Sequence, residues 1–402
     1  MILVCEPICR GFDHVIFNAA LLETICMAYP SKPVHFYGEE SHLQQVRAHI
    51  GDQRSFNILW QPIELPPSYA TLFSRLSMEF KLISHLLSVA EANTNNNIVL
   101  TNIRISILMA IKFFLKFVNR KALIQIIIHH RLNSLNRIRS YNPFMRFTPF
   151  KIALTMGSNK KIQYIFLEES IRIRFQSILP SFKGNVAVLE HPVVPEQQGD
   201  HIMPFAQPFR FGFLGRTIRE KGFDSYLQLA SEIKDKLPGR AEFHVIGFVP
   251  DGQSKFEMNS LDVPPLQTPL DRKQYVYGLK RLHFVCLPYK DHYQLSPSGV
   301  LLDAVAFKKP LIASRLPIFE DLFHQYGDIG YLFDDEAELC DIIKKIMQEA
   351  NAQRYMDQVI NLKKLRLERH PRFLSDKYRN ICSHFSRESR EVRPDPSNSS
   401  FQ

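Results

Sequence analysis

Short apolar runs recur along the chain, separated by longer stretches in which apolar residues return every third or fourth position. The runs read as strands buried on both faces and the spaced stretches as amphipathic helices, so their alternation predicts a parallel α/β sheet. In the first half, strands are expected at 2–5, 33–37, 56–61, 97–101, 123–129, 162–167 and 186–190, and helices most clearly at 15–29 and 69–90. A polar, proline-bearing stretch, PVVPEQQGDHIMPFAQP at 192–208, interrupts the pattern, which then restarts. Behind it strands are expected at 209–214, 241–246, 283–288, 310–314 and 329–333, with a weak one at 261–268; helices fit 222–237, 271–279, 298–307, 317–325 and 336–350. Two such halves predict two domains, at 1–195 and 209–385, joined by a linker at 196–208; the polar end, 386–402, is too poor in apolar residues to pack and is expected to be a disordered tail. No repeat of solenoid or propeller period occurs.

The chain has 402 residues, long enough for two cores, and an ordinary globular composition. The start, MILVCEPICRGFDH, lacks the basic and apolar regions of a signal peptide, and the most apolar helix candidate, 105–118, is too short to span a bilayer and contains Lys112 and Lys116. A cytoplasmic protein is expected, with its six cysteines reduced and structural. Charge is uneven. Residues 100–185 hold 15 Lys/Arg against two acids, while the rest of the chain is slightly acidic, so an anionic partner is expected there, such as a phosphate-bearing lipid or a membrane surface. Aromatics interleave with these bases over 104–121 and 144–151, which also suits a buried helix in the first case and a peripheral membrane contact in the second. No nucleic-acid recognition motif is present, so nucleic acid is not expected.

Candidate chemistry concentrates where strands end. In FRFGFLGRTIREKGFDSYLQLA (209–230) a strand of alternating phenylalanines runs out at Gly215 and Arg216, and a helix starts after Lys221 and Gly222. A guanidinium that can bridge two oxygens beside an ammonium suits a diphosphate. In SPSGVLLDAVAFKKPLIAS (296–314), Ser296 before a proline, or Ser298 directly, caps a helix whose first N–H groups, at Gly299, Val300 and Leu301, form an anion site. Asp303 lies one turn on, on the face of Gly299, where it can accept hydrogen bonds from ribose hydroxyls or simply favour the helix dipole. After the first strand, EPICRGFDH places Arg10, Gly11 and His14 in a loop before a helix, and LIQIIIHH ends in His129 and His130, of which at most one can point toward a ligand. The chain has no Asp-x-Asp and no third zinc ligand at suitable spacing, so no metal and no cofactor are expected.

Together, FGFLGRTIREKGFD and SPSGVLLDAVAFKKPLIASRLPIFEDLF resemble the donor domain of the GT-B glycosyltransferases, in particular the retaining group one family, over 209–349. The resemblance implies two Rossmann-like domains facing a central cleft, a nucleotide-sugar substrate, and a glycan or lipid-linked acceptor, as in bacterial surface polysaccharide synthesis. It implies diphosphate contacts at Gly215, Arg216, Lys221 and the Gly299 helix end, and a ribose contact at Asp303. Catalytic roles are expected at His14, Arg216 and Lys221, donor contact also at Gly11, and acceptor contact at Arg10, His129 or His130. One position departs from the family: its first motif glutamate is Leu295 here. Either Asp291, Tyr293, Ser296 or Ser298 has taken over the donor-sugar contact, or activity is altered or lost. A catalytically silent partner of the same fold, or a GT-B epimerase or phosphorylase, is the alternative.

Overall fold

A computed structural model describes residues 1–51, 56–67, 69–92, 97–118, 121–129, 132, 149–157, 159–193, 202–251, 256–290 and 298–389. The chain forms two compact units, Met1–Pro192 with Pro371–Gln402, and Val193–His370.

The first unit holds a seven-stranded parallel sheet built from β1 (Ile2–Cys5), β2 (Val34–Gly38), β3 (Ile58–Pro62), β4 (Asn97–Leu100), β5 (Leu123–Ile128), β6 (Ile162–Phe166) and β7 (Asn185–Val188). Their order is β3-β2-β1-β4-β5-β6-β7. All of β1 and β6 is buried, as continuous apolar strands covered on both faces should be. The second unit holds a five-stranded parallel sheet of β8 (Phe209–Arg216), β9 (Ala241–Phe248), β10 (Phe284–Leu287), β11 (Leu311–Ser314) and β12 (Gly330–Phe333), in the order β12-β11-β10-β8-β9. Phe209, Phe211 and Phe213 point from β8 into one apolar cluster with Phe223, Tyr226, Phe243 and Phe284.

In each sheet the strand order reverses beside the first strand, between β1 and β4 in one and between β8 and β10 in the other. At such a reversal the crossover helices leave toward opposite faces, and a crevice opens outside the strands' carboxyl ends.

Two expectations give way. Helix Pro371–Glu388 buries Leu374, Tyr378, Cys382 and Phe385. The first three join the apolar core of the first unit, and the Tyr378 hydroxyl donates to Gln125 Oε1 of β5 at 2.8 Å. The second unit therefore stops at His370 and not at 385, and the final helix returns to the first sheet. The weak strand at 261–268 reduces to isolated bridges at Val263 and Leu266, because Pro264 and Pro265 between them have no N–H to donate. Part of the expected linker (196–201) and most of the expected tail (390–402) lie outside the described residues. All six cysteines are free and buried.

Candidate functional site

The β8/β10 reversal of the second unit carries the densest set of expected residues. Gly215, at φ +85°, turns the end of β8. A Cβ there would stand 3.3 Å from Lys221 Nζ and 3.5 Å from a Val300 methyl, so the strand end, the cation and the helix start meet at one point. After the short 3-10 turn Arg219–Lys221, Gly222 adopts φ +71° and starts helix Phe223–Lys236. A Cβ on Gly222 would fall 1.7 Å from the carbonyl oxygen of Pro288, at the end of β10. Only glycine allows both that backbone angle and that approach, and the loop is thereby fixed against the neighbouring strand.

Helix Gly299–Ala306 is capped by Ser298, whose Oγ accepts the N–H of Leu301 at 3.2 Å and pairs with the Tyr289 hydroxyl at 2.8 Å. This corrects one expectation: Leu301 gives its N–H to the cap. The N–H groups of Gly299 and Val300 are the ones without intrahelical acceptors. Gly299 is exposed, with nothing within 4 Å of the place a Cβ would take. Arg216 is exposed, and neither Arg216 nor Lys221 has a side-chain hydrogen bond or ion pair among the described residues. Burial, with a smaller contribution from the nearby Arg216 and against the opposing pull of Asp303, lowers the Lys221 pKa to about 8. A desolvated ammonium and a guanidinium beside a helix end are arranged to receive a multiply charged anion.

Asp303 is mostly buried and already engaged. It accepts from the Tyr275 hydroxyl at 2.9 Å and from the Arg272 guanidinium at 3.3 Å and 3.4 Å. These partners lie on helix Arg272–Lys280, which opens with a capping box between Asp271 and Gln274. The sequence reading missed both, although an Arg and a Tyr three positions apart on one amphipathic helix share a face. Tyr293 and Ser296, with Asp291 and Leu295, lie outside the described residues.

The β1/β4 reversal of the first unit is organised around a buried carboxylate that the sequence reading did not single out. Glu6 Oε1 accepts the N–H groups of Ile8 and Cys9, both at 3.0 Å, and Oε2 accepts from Thr101 Oγ1 at 2.7 Å and Asn18 Nδ2 at 3.3 Å. Four donors satisfy it and fold the loop back on the end of β1. His42 accepts from Asn18 Nδ2 at 2.9 Å and donates from Nδ1 to the carbonyl of Gly11 at 3.0 Å. Gly11 sits at φ +50°, its N–H given to Ser41 Oγ at 3.1 Å. Ligand atoms of Glu6, Cys9 and His14 lie within 4.8 Å of one another, and burial raises the pKa of the Cys9 thiol.

His14, half-buried with a left-handed backbone, caps helix Val15–Ala28 and packs its ring 4.2 Å from that of His129. His129 is buried among His14, Phe17 and His191, which removes it from the expected acceptor contacts. His130 lies outside the described residues. Arg10 donates to the carbonyls of Leu65 and Pro66 at 2.9 Å and 3.0 Å and lines a cavity of about 590 Å³ in this unit. Of the basic segment, residues 133–148 lie outside the described residues. Lys112 is structural, its Nζ donating to the carbonyls of Ala153, Leu154 and Met156. Phe113 and Phe117 remain exposed beside Lys116.

Residues 208–349 match the family model described as glycosyl transferases group 1. No curated protein matches the chain. Among solved structures, WaaG, a glycosyltransferase involved in lipopolysaccharide biosynthesis, superposes with a TM-score of 0.60 at 12% identity, over 95% of this chain and 99% of that one. The UDP-forming α,α-trehalose-phosphate synthase from Burkholderia vietnamiensis gives 0.62 at 12%, over 96% and 99%. Anabaena Alr3699/HepE in complex with UDP gives 0.61 at 12%, over 95% and 99%. The chain thus has the two Rossmann-like sheets of the GT-B glycosyltransferases, and its second unit carries a group 1 glycosyltransferase domain. Among the described residues no helix is long and apolar enough to cross a membrane.

Proposed function

We propose that the chain is a retaining glycosyltransferase that moves a hexose from a nucleoside diphosphate donor to a hydroxyl of a glycan or lipid-linked acceptor, in the assembly of a bacterial surface polysaccharide at the cytoplasmic face of the membrane. The observation that carries this reading is the meeting of Gly215, Lys221 and the Ser298-capped helix start at the β8/β10 reversal. The donor diphosphate lies against Arg216, Lys221 and the N–H groups of Gly299 and Val300. As the glycosidic bond breaks, negative charge grows on the leaving phosphate, and these fixed donors stabilise it more than they stabilise the bound donor. Two cations and a helix end supply the charge that a metal ion supplies elsewhere, so no metal is required.

Asp303 takes the ribose hydroxyls, with Arg272 and Tyr275 holding its carboxylate in place until they arrive. His14 and Gly11 belong to the loop after β1, at the strand-order reversal of the first unit. Exposed Phe113 and Phe117 with Lys116 favour a peripheral membrane contact.

The test is a panel of nucleotide sugars screened for thermal stabilisation, followed by product analysis with the labelled form of the best donor. Label transferred to a glycan supports the reading. Tight nucleotide binding with donor consumed only at background rate favours the silent-partner alternative that Leu295 motivates.

A further inference from the structure

The 590 Å³ cavity of the first unit sits at the β1/β4 reversal and is walled by three segments that follow carboxyl ends of strands: the loop after β1, the stretch after β3, and the start of the helix after β4. Each segment contributes one arginine to the lining, Arg10, Arg75 and Arg104 respectively, and Asp13 is the one acid among the lining residues. Two of the arginines have work within the fold. Arg10 donates to Leu65 and Pro66, and Arg104 pairs with the buried Glu79 at 3.1 Å. The Arg75 side chain has no hydrogen bond or ion pair among the described residues, and its Nε is shielded from solvent. A guanidinium N–H removed from water without an acceptor is unfavourable unless a ligand supplies one. Apart from Ser106 the remaining walls are apolar, among them Leu72, Leu76, Ile105 and Met109. The same segments expose Phe12, Tyr69, Leu72 and Phe73 to solvent, Tyr69 and Phe73 by more than four-fifths.

We propose that this cavity binds the phosphate of the acceptor, with Arg75 as its principal ligand, and that the apolar wall and rim take the alkyl or polyprenyl chain attached to it. Guanidinium forks brought in from three directions match the several oxygens of a phosphate or diphosphate better than a single carboxylate. An apolar wall beside them selects a phosphate that carries a lipid. The inference rests on the glycosyltransferase reading and specifies its acceptor as a lipid-linked phosphate.

The experiment uses the full chain carrying Arg216→Ala and Lys221→Ala, so that phosphate binding at the donor side is suppressed. Decyl phosphate below its micelle concentration, inorganic phosphate and the neutral decyl maltoside are titrated calorimetrically. Decyl phosphate is expected to bind, the maltoside to bind at least tenfold more weakly, and a further Arg75→Gln to weaken decyl phosphate at least tenfold, with Arg75→Lys recovering part of the loss. No binding of decyl phosphate, or binding untouched by Arg75→Gln in a protein of unchanged melting temperature, overturns the proposal. Inorganic phosphate binding as tightly as decyl phosphate overturns the lipid part and leaves a soluble phosphorylated acceptor. In the otherwise unaltered protein, Arg75→Gln is expected to leave nucleoside diphosphate affinity unchanged; a failure of the donor reading shows instead as nucleotide binding indifferent to Arg216 and Lys221.

Discussion

The carboxyl edges of the two sheets hold similar kinds of residue and use them differently. At the edge of the second sheet, Arg216 and Lys221 have no side-chain partner among the described residues, and the two leading N–H groups of helix Gly299–Ala306 have no intrahelical acceptor. At the edge of the first, Glu6, Asn18, Thr101, His42 and Arg10 are bonded to one another or to the backbone, and what they hold is the shape of a loop. Unsatisfied cations gathered by a glycine turn mark a place for a ligand; a carboxylate that four loop and helix donors satisfy, like Glu6, marks scaffolding. By that standard Arg75 stands apart in the first unit, since its surroundings are built and its partner is missing.

The sharpest break of this comparison comes from removing the unpartnered cations. Arg216→Ala and Lys221→Ala should each lower kcat/KM for the preferred donor about ten- to hundredfold, the scale of one charge-assisted hydrogen bond to a phosphate, about 1.5–3 kcal/mol. Neither should lower the melting temperature, because neither side chain holds the fold. Steady-state kinetics with thermal melts checks both, and wild-type kcat/KM in the two variants would remove the diphosphate site.

A smaller effect is expected at Asp303, whose protein partners make it the intermediate case. Asp303→Asn should weaken the nucleoside diphosphate by about 1–3 kcal/mol if the carboxylate takes ribose hydroxyls. A 2′,3′-dideoxy nucleotide lacks those hydroxyls and should lose far less. Calorimetry on both proteins with both nucleotides closes the cycle. A coupling energy near zero would leave Asp303 as an anchor for Arg272 and Tyr275 alone.

How much of this was legible follows from where each partner lies in the chain. Gly215, Lys221 and Gly222 sit within one strand-to-helix turn, so a local reading finds them, as it finds Ser298 and Asp303 on one short helix. Arg272 and Tyr275 meet Asp303 across about thirty residues, and only the packing of one helix on another brings them there. Glu6 follows its strand with no pattern around it, and its four donors come from three segments. Arg75 was hidden for a different reason. Its helix was expected on periodicity, but periodicity separates faces and does not say which exposed face borders a cavity. The final helix was written in the spacing of Leu374, Tyr378 and Cys382, yet nothing in that spacing says which sheet it covers.

Lys221 offers a milder test, through pH. Its folded pKa of about 8 means that the free protein is losing the proton that a bound diphosphate requires as pH rises past that value. Nucleoside diphosphate affinity should be flat below about pH 8 and fall toward about tenfold per unit above it. Lys221→Arg, which stays charged, should abolish the slope. Titrations between pH 7 and pH 9.5 decide the matter, and a wild-type profile as flat as the variant's would show that Lys221 is not the titrating group.

The smallest expected effect returns to scaffolding and compares one lysine from each unit. Lys309 is buried, donates to the carbonyls of Lys280 and Leu282 at 2.8 Å and 2.7 Å, and has its pKa lowered to about 7, chiefly by burial. Lys112 is half-buried, donates to three carbonyls at the end of helix Pro149–Thr155, and is lowered to about 8 by burial alone. For both, the unfolded chain keeps its proton up to about pH 10.5, so between the folded and unfolded values the unfolded state binds more protons and stability rises with pH. Below the folded value both states are charged, and the full desolvation penalty acts on the folded one. A methionine in place of either lysine keeps the stem, removes the titration and gives up hydrogen bonds of about 1 kcal/mol each. Lys309→Met should therefore be most destabilising near pH 9 and least so near pH 6. Lys112→Met should show the same trend with a smaller span, since its shift is smaller. Urea denaturation of the three proteins across that range measures the difference, and a destabilisation by Lys309→Met that does not change with pH would mean that this buried lysine carries no desolvation penalty.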